Sequence, residues 1–259
     1  MPFSGETYGE VVGSGAFLEL RGQPYLLTNE HVARWRTQFR LAHFLNEGAL
    51  AAAVVHPFRC VTEPEDVAVA RIDADLLAHS TKRGVPATRI DQAFSAAEGE
   101  IVFIHGYPGV QSRFSALNQG VLARTCPYST DLNTLPQGFD PNMHFAITYP
   151  TQGVQDFSGR EAVLPNPSGM SGSLVWDTKY VSMDGRGWDP TRAKVCGLIW
   201  AWDINNHRLI GTKIDFVRAV LLEHLRLEAA YFRSLRREEY PGDYLSDWLW
   251  AEQAITDIA

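Results

Sequence analysis

The sequence has few cysteines: Cys60, Cys126 and Cys196 are the three among 259 residues, and they lie far apart. An odd number of widely spaced cysteines argues against a disulfide framework and against a CxxC metal or redox pair. This cysteine usage is typical of a reducing compartment. We therefore expect a cytoplasmic protein.

The sequence also lacks long apolar runs and an excess of positive charge. No run approaches the ~18 apolar residues of a membrane helix, and residues 1–10 lack a cationic stretch followed by an apolar one. Lys and Arg total 23 against 30 Asp and Glu, a net charge of −7. Nucleic acid and membrane are therefore excluded as main partners. The 45% hydrophobic and 20% charged residues are typical of a folded globular protein.

Two series of short strand patterns follow each other along the chain. Each run is apolar, β-branched or aromatic and is bounded by turn residues. The first series covers 11–12, 16–20, 24–27, 67–72 and 101–104, and the second covers 120–124, 144–149, 172–176, 195–200 and 208–214. The pattern predicts two β lobes in tandem, at residues 1–112 and 113–215.

The remaining segment, residues 216–259, differs in pattern. Apolar residues between Asp215 and Glu239 recur mostly at steps of three or four among charged residues, which predicts an amphipathic helix packed on the lobes. Pro241 and Gly242 are expected to end it. Residues 244–258 then form a second short helix or a partner-binding tail.

A serine lies between two glycines in the second lobe. Ser171 follows Gly169 and Met170, precedes Gly172, and stands just before an apolar strand. Glycines on both sides allow a tight turn and let a substrate carbonyl approach the amides of Gly169 and Ser171. Such Gly/Ser clusters are more often plain turns, so this segment alone does not identify a nucleophile.

Two segments of the first lobe carry the partners that a serine nucleophile requires. His31 directly follows the apolar strand that ends near Thr28, at a predicted short helical turn. Asp66 precedes the buried strand 67–72. Serine hydrolysis requires an imidazole to accept the hydroxyl proton and a carboxylate to orient that imidazole.

With these residues the chain resembles the trypsin-like serine peptidases of the chymotrypsin fold, nearer to the bacterial Deg-type branch than to digestive enzymes. The order His31, Asp66, Ser171 matches that family's order. Gly13–Phe17, Ile104–Pro108, Val195–Ile199 and Gly211–Ile214 also resemble its strand segments, so the resemblance spans about residues 8–222. The residues after 222 are too few for the peptide-binding domain of the Deg-type branch, so we expect none in this segment.

The resemblance implies an all-β fold of two six-stranded antiparallel barrels, followed by the helical extension. It also implies a serine endopeptidase that works through an acyl-enzyme, with His31 as general base, Asp66 as its orienting partner and Ser171 as nucleophile. The amides of Gly169 and Ser171 would form the oxyanion hole. Met170 stands where zymogen-type relatives carry an aspartate, so activation through a new amino terminus is not expected.

The resemblance places the substrate pocket around Asn166, Trp200, Ala201, Trp202 and Leu209. Since none of these is acidic, no preference for Lys or Arg is expected, and the two tryptophans predict a shallow pocket for small or medium apolar side chains.

Three further expectations concern partners and alternatives. The other histidines lack partners at metal-ligand spacing, so no metal or other cofactor is predicted. The expected partners are a peptide or protein substrate and a regulatory protein that docks on the carboxyl-terminal helices. The alternative is a catalytically silent peptidase fold that serves as a binding or regulatory module, because a fold does not establish turnover.

Overall fold

The structure is a computed structural model that describes residues 11–38, 41–44, 51–78, 80–115, 120–150, 152–156, 158–236, 238–240 and 242–255. Residues 1–10, Pro241 and the end of the predicted tail at 256–258 lie outside the described residues. The described strands are β1 Ala16–Leu20, β2 Gln23–Thr28, β3 Ala42–Phe44, β4 Ala51–Ala53, β5 Arg59–Val61, β6 Val67–Arg71, β7 Val85–Pro86, β8 Ile101–Gly106, β9 Ser112–Ser115, β10 Gly120–Ala123, β11 Cys126–Asn133, β12 His144–Thr148, β13 Val154–Gln155, β14 Glu161–Ala162, β15 Leu174–Asp177, β16 Lys194–Asp203 and β17 Arg208–Lys213. The helices are α1 Glu30–Ala33, α2 Ala74–Ala78, α3 Ile214–Ser234 and α4 Tyr244–Ala254.

The first lobe is built on a five-stranded sheet with the order β5-β6-β2-β1-β7. Arg21 and Gly22 join β1 to β2 in a two-residue turn with φ values of 52° and 73°, the turn geometry that matches the twist of a hairpin. The short strand β7 pairs with β1 in parallel, and β3 and β4 form a separate two-stranded ribbon. The predicted strand at 11–12 has no regular secondary structure.

The second lobe is a closed six-stranded barrel with the order β11-β12-β17-β16-β15-β8. Its strands pair antiparallel throughout, and β16 changes register between Ile199 and Ala201. Strand β8 falls within the predicted range of the first lobe, 1–112, yet it pairs with β11 and β15 of this barrel.

The predicted all-β class with carboxyl-terminal helices is confirmed. Among the residues that the structure describes, the barrel of the second lobe is closed, and the first lobe contains the five-stranded sheet and the separate β3-β4 ribbon.

Helix α3 follows β17 directly and packs back against the first lobe. Its buried side chains include Val217, Val220, Leu221 and Leu225, which recur at helical spacing. The helix ends at Ser234, earlier than the predicted Glu239, because residues 236–239 are all charged and offer nothing apolar to bury.

One hydrophobic core joins the sheet, the barrel and the helices. Leu18 of β1, Val69 of β6, Leu198 of β16, Leu221 of α3 and Ile255 after α4 belong to the same buried cluster. A second cluster fills the barrel itself. The shared core fixes the two lobes against each other, and the predicted catalytic side chains come from both lobes.

No helix in the described ranges combines the length and the apolar character that crossing a bilayer requires.

Candidate active site

His31 lies on the one-turn helix α1, where the chain leaves the sheet. The preceding strand β2 is buried from Pro24 to Thr28, and its apolar side chains fix where α1 begins. The His31 side chain is 36% exposed, so its ring remains open to solvent on one side.

Asp66 lies directly before β6, which pairs antiparallel with β2. Thr28 at the end of β2 is opposite Ala68 near the start of β6, so this pairing brings Asp66 to His31. The Asp66 side chain is 1% exposed, and the backbone of Asp66 has a φ of 50°. This left-handed conformation costs energy for most residues but is tolerated by Asp.

The Asp66 carboxylate makes two hydrogen bonds to His31. Its Oδ1 accepts from the His31 backbone amide at 2.9 Å, and its Oδ2 is 2.5 Å from His31 Nδ1. The amide group of Asn29 donates to the Asp66 carbonyl at 2.7 Å. These contacts fix the rotamer of the ring and place the proton of neutral His31 on Nδ1, which leaves Nε2 as an acceptor.

Ser171 lies in the loop before β15. Gly169 and Gly172 on either side have φ values of 93° and 90°, a conformation that favours glycine. Met170 between them is fully buried in the barrel core. The Ser171 hydroxyl donates to the Trp200 carbonyl at 3.2 Å, and in the described part of the chain it has no hydrogen bond to His31.

The backbone amides of Gly169 and Ser171 are available to a ligand. Among the described residues neither amide donates to a protein acceptor, whereas the amides of Met170 and Gly172 donate to Pro167 and Ile199. Two neighbouring N–H groups without a partner can bind an oxyanion.

The serine loop is tied to the first lobe by Ser14. Its backbone amide donates to the Ser171 carbonyl at 2.6 Å, and its hydroxyl donates to the Gly169 carbonyl at 2.8 Å. Thr28 donates in turn to the Ser14 carbonyl at 2.7 Å. This chain of contacts connects the Ser171 loop to the strand that leads to His31.

The predicted pocket residues differ in their surroundings. Asn166 is exposed, and Trp200, Ala201 and Trp202 are partly buried. Leu209 is 1% exposed and packs in the barrel core, because β17 turns this side chain inward. The Trp200 ring lies against the rings of Phe139 and His144, with centroids 5.8 and 5.5 Å away.

The cysteine thiols are poor candidates for chemistry. Cys60 lies on an exposed part of β5, but partial desolvation of its thiol raises its pKa, and the charge of Glu30 raises it further. Burial also raises the pKa of Cys196, far above neutrality. Both thiols are therefore protonated and weakly nucleophilic at neutral pH. In the described ranges no three His, Cys, Asp or Glu side chains form a group that could hold a metal ion.

Several supporting residues were not identified from the sequence. Ser14, Asn29, His144 and Thr212 all contact backbone groups around the candidate triad. Their partners are carbonyl groups, which every residue carries, so the sequence contains no complementary side chain that could reveal these contacts.

Comparisons with known proteins give a family match and several similar solved structures. The profile of the trypsin-like peptidase domain matches residues 13–180. Among solved structures, a Glu endopeptidase in complex with MPD is 14% identical, with a TM-score of 0.47 over 86% of this chain and 99% of the other. The serine protease domain of the Sesbania mosaic virus polyprotein is 12% identical, with a TM-score of 0.45 over 80% and 83%. A protease from M. tuberculosis in its active form is 16% identical, with a TM-score of 0.41 over 81% and 71%. No curated protein matches the sequence.

Proposed function

Because the chain belongs to the trypsin-like peptidase domain family, whose profile covers residues 13–180, we propose that it is a serine endopeptidase with the triad His31, Asp66 and Ser171. The observation that carries the proposal is the double hydrogen bond from the buried Asp66 carboxylate to the amide and ring of His31. This arrangement holds an imidazole in the tautomer that accepts a proton at Nε2.

The reaction starts when the Ser171 oxygen attacks the scissile carbonyl while His31 Nε2 takes the hydroxyl proton. Asp66 stabilises the imidazolium through Nδ1–H. The amides of Gly169 and Ser171 donate to the oxyanion of the tetrahedral intermediate. His31 then gives its proton to the leaving amine, and an acyl group remains on Ser171. A water molecule hydrolyses this acyl-enzyme by the same proton transfers in reverse.

The attack requires the Ser171 hydroxyl to turn away from the Trp200 carbonyl. The hydrogen bond between them is 3.2 Å long, which is longer than is usual for a hydroxyl donor and indicates a weak bond. The proposed attack therefore includes a change of the Ser171 rotamer that releases the hydroxyl from the Trp200 carbonyl, so that it can donate to His31 Nε2.

The substrate side chain before the scissile bond is proposed to lie near Asn166, Ala201 and Trp202. The pocket contains no acidic group among these residues, so small or medium apolar side chains are preferred over Lys and Arg. A peptide-library profile dominated by Lys or Arg would contradict this preference.

Turnover of a peptide library, read by mass spectrometry of new termini, tests the proposal. Ser171→Ala and His31→Ala are expected to lower kcat by ~10⁶-fold, because nucleophile and base act as a unit. Asp66→Asn is expected to cost ~10⁴-fold, because the imidazole loses its correct tautomer. Cleavage that persists in folded Ser171→Ala would contradict the assignment.

A second candidate function is a peptidase-fold binding module without turnover. The hydrogen bond of Ser171 to Trp200, in place of one to His31, favours it. Peptide binding that is equal in the wild type, Ser171→Ala and His31→Ala, without cleavage in any of them, would support the module over the enzyme.

Control by a regulatory protein is part of the proposal, because the helical extension exposes large apolar side chains. Tyr231, Leu235, Tyr244, Leu245 and Leu249 are between 49% and 68% exposed. We expect cell extract to raise turnover by the wild type but not by Leu245→Ser combined with Leu249→Ser. Equal stimulation of both proteins would argue against this surface.

The proposed compartment is a reducing one, the cytoplasm. Cys60, Cys126 and Cys196 are all free thiols, which supports this location.

A further inference from the structure

The conformation of Asp66 requires support from its surroundings. Its φ of 50° lies in the left-handed region, which Asp adopts more readily than most residues but which still costs energy, so neighbouring contacts are needed to hold it. Within the first lobe, Asn29 binds the Asp66 carbonyl at 2.7 Å. Pro64 and Glu65, the two residues before Asp66, are held by contacts from outside the first lobe.

The carbonyl groups of Pro64 and Glu65 are bound by side chains of the second lobe. His144 Nε2 donates to the Pro64 carbonyl at 2.9 Å, and Thr212 Oγ1 donates to the Glu65 carbonyl at 2.8 Å. His144 is 4% exposed and Thr212 is fully buried.

The barrel places these two donors side by side. His144 on β12 and Thr212 on β17 are direct partners in the antiparallel register, so their side chains lie on the same face of the sheet. Consecutive carbonyls of the first lobe thus meet paired donors of the second lobe. This geometry fixes the path of the chain into Asp66.

Trp200 completes the arrangement. It is the extra residue at the register change of β16, between Ile199 and Ala201, and such bulges redirect side chains near active sites. Its ring lies 5.5 Å from the His144 ring, and its carbonyl accepts the Ser171 hydroxyl. One residue therefore contacts both the nucleophile and the group that supports Asp66.

We propose that His144 and Thr212 are positioning residues: the second lobe uses them to hold residues 64–65 so that the Asp66 carboxylate orients His31. The inference rests on the proposed function, and it assigns to the barrel a role in setting up the base as well as supplying the nucleophile. Trp200 acts here as the packing partner of His144.

The test compares Thr212→Val and His144→Phe, which remove the donors but keep the side-chain shapes, with the wild type. Thr212→Ser restores the hydroxyl. Thr148→Val is the matched control, because Thr148 lies at the other end of β12 and its hydroxyl accepts from Asn133. Each protein is measured for kcat, KM, thermal midpoint and the downfield NMR resonance of the His31 Nδ1 proton, assigned by its loss in His31→Ala.

We expect Thr212→Val and His144→Phe to lower kcat about 10- to 100-fold with KM unchanged, because small misplacements of a catalytic group cost that much. The Nδ1 resonance should weaken or move upfield in both, return in Thr212→Ser, and stay in place in Thr148→Val. If folded Thr212→Val and His144→Phe keep kcat and the resonance and lose only thermal stability, the inference is wrong.

Different results would refute the positioning role of His144 and Thr212 and the proposed peptidase function. The resonance does not depend on turnover, so a wild type that cleaves no peptide but shows resonance changes in Thr212→Val and His144→Phe would refute the enzyme and retain the positioning role. Cleavage that is normal in both variants, with an unchanged resonance, would retain the enzyme and refute the positioning role.

Discussion

Gly172 lies where the Ser171 loop meets the first lobe. A Cβ at this position would lie 2.0 Å from the Ser14 carbonyl oxygen and 2.6 Å from Thr28 Oγ1. The first atom is backbone and cannot move without separating the lobes. Position 172 therefore requires glycine for two reasons: a Cβ would clash with the Ser14 carbonyl, and the φ of 90° is unfavourable for other residues.

Gly172→Ala is expected to destabilise the fold and to abolish peptide cleavage. The left-handed conformation alone costs about 1–2 kcal/mol, and the overpacking adds about 1–3 kcal/mol. Gly153→Ala is the matched control, since Gly153 has a φ of 76° and a Cβ added there would have no neighbour within 4 Å, so only the backbone cost should appear in urea unfolding. Equal destabilisation by both changes would show that the contact with Ser14 has no effect.

At the scale of residues, the sequence could predict which side chains form the candidate triad, but not which hydrogen bonds hold them in place. The His31–Asp66 contact was predictable, because both residues stand at the ends of apolar strands in the order of a known family. The partners of Ser14 and His144 were not, because these side chains bind backbone carbonyls 155 and 80 residues away. The Ser171 hydroxyl donates to the carbonyl of Trp200, which is the extra residue at the β16 register change. No local sequence pattern predicts this change.

At the scale of elements, the docking of α3 on β2 contains a pH-sensitive contact. Burial lowers the pKa of His224, although the nearby Glu228 raises it. Tyr25 packs against the His224 ring with centroids 5.6 Å apart, and its hydroxyl donates to Glu228 at 2.7 Å. Neutral His224 therefore fits the interface better than its charged form.

The sign of the pH effect follows from this depressed pKa. Below the ordinary histidine pKa of about 6.5, the unfolded chain binds a proton that the folded chain binds less readily, so stability falls as pH decreases. We expect His224→Phe to show a smaller loss of unfolding free energy than the wild type between pH 7 and pH 5. Unfolding free energies are measured by urea titration at both pH values. A loss between pH 7 and pH 5 that is the same in His224→Phe and in the wild type would contradict this prediction.

The long loop after β15 is anchored by a buried carboxylate. Burial raises the pKa of Glu100, but hydrogen bonds from the amides of Val181, Ser182 and Ile101 outweigh it, so the net pKa is lowered. The bonds to Val181 and Ser182 are both 2.9 Å long. The charge of Glu100 therefore stabilises the folded state.

Glu100→Gln is expected to cost about 2–4 kcal/mol at pH 7, because hydrogen bonds to a charged group contribute about 1.5–3 kcal/mol each and the amide replaces them only in part. Since the folded pKa is depressed, this contribution is present above the unfolded pKa and is lost as pH falls through the folded pKa. The difference between variant and wild type in denaturant unfolding should therefore shrink towards pH 3. A difference that is constant with pH would argue against the role of charge.

The strand patterns predicted nine of the seventeen described strands to within a few residues, β1, β2, β6, β8, β10, β12, β15, β16 and β17. Strand β16 continues to Asp203, beyond the predicted 195–200, because the register change at Trp200 lets it keep pairing with β17. Eight described strands lie outside the predicted ranges: β3, β4, β5, β7, β9, β11, β13 and β14. Seven of them have only two to four residues, too few to display an alternation. Strand β11 has eight residues but was also missed, because Pro127 and the polar run Ser129–Asp131 are typical of a turn.

At the scale of the whole molecule, the lobes are expected to unfold together. The buried cluster that contains Leu18, Leu198 and Leu221 belongs to the sheet, the barrel and α3 at once, so the first lobe shares its core with the barrel and the helix. Calorimetry should give a single transition whose calorimetric and van't Hoff enthalpies agree. Two resolved transitions would show that the lobes are independent.

The catalytic proposal has the same dependence on the whole molecule, because Ser171 comes from the barrel while His31 and Asp66 come from the sheet. Its most direct test is covalent labelling with a fluorophosphonate, located by peptide mass spectrometry. We predict one adduct, on Ser171, that disappears in folded Ser171→Ala and in folded His31→Ala. An adduct on another residue, labelling of Ser171 that does not depend on His31, or a folded wild type that remains unlabelled with and without cell extract would contradict the proposal.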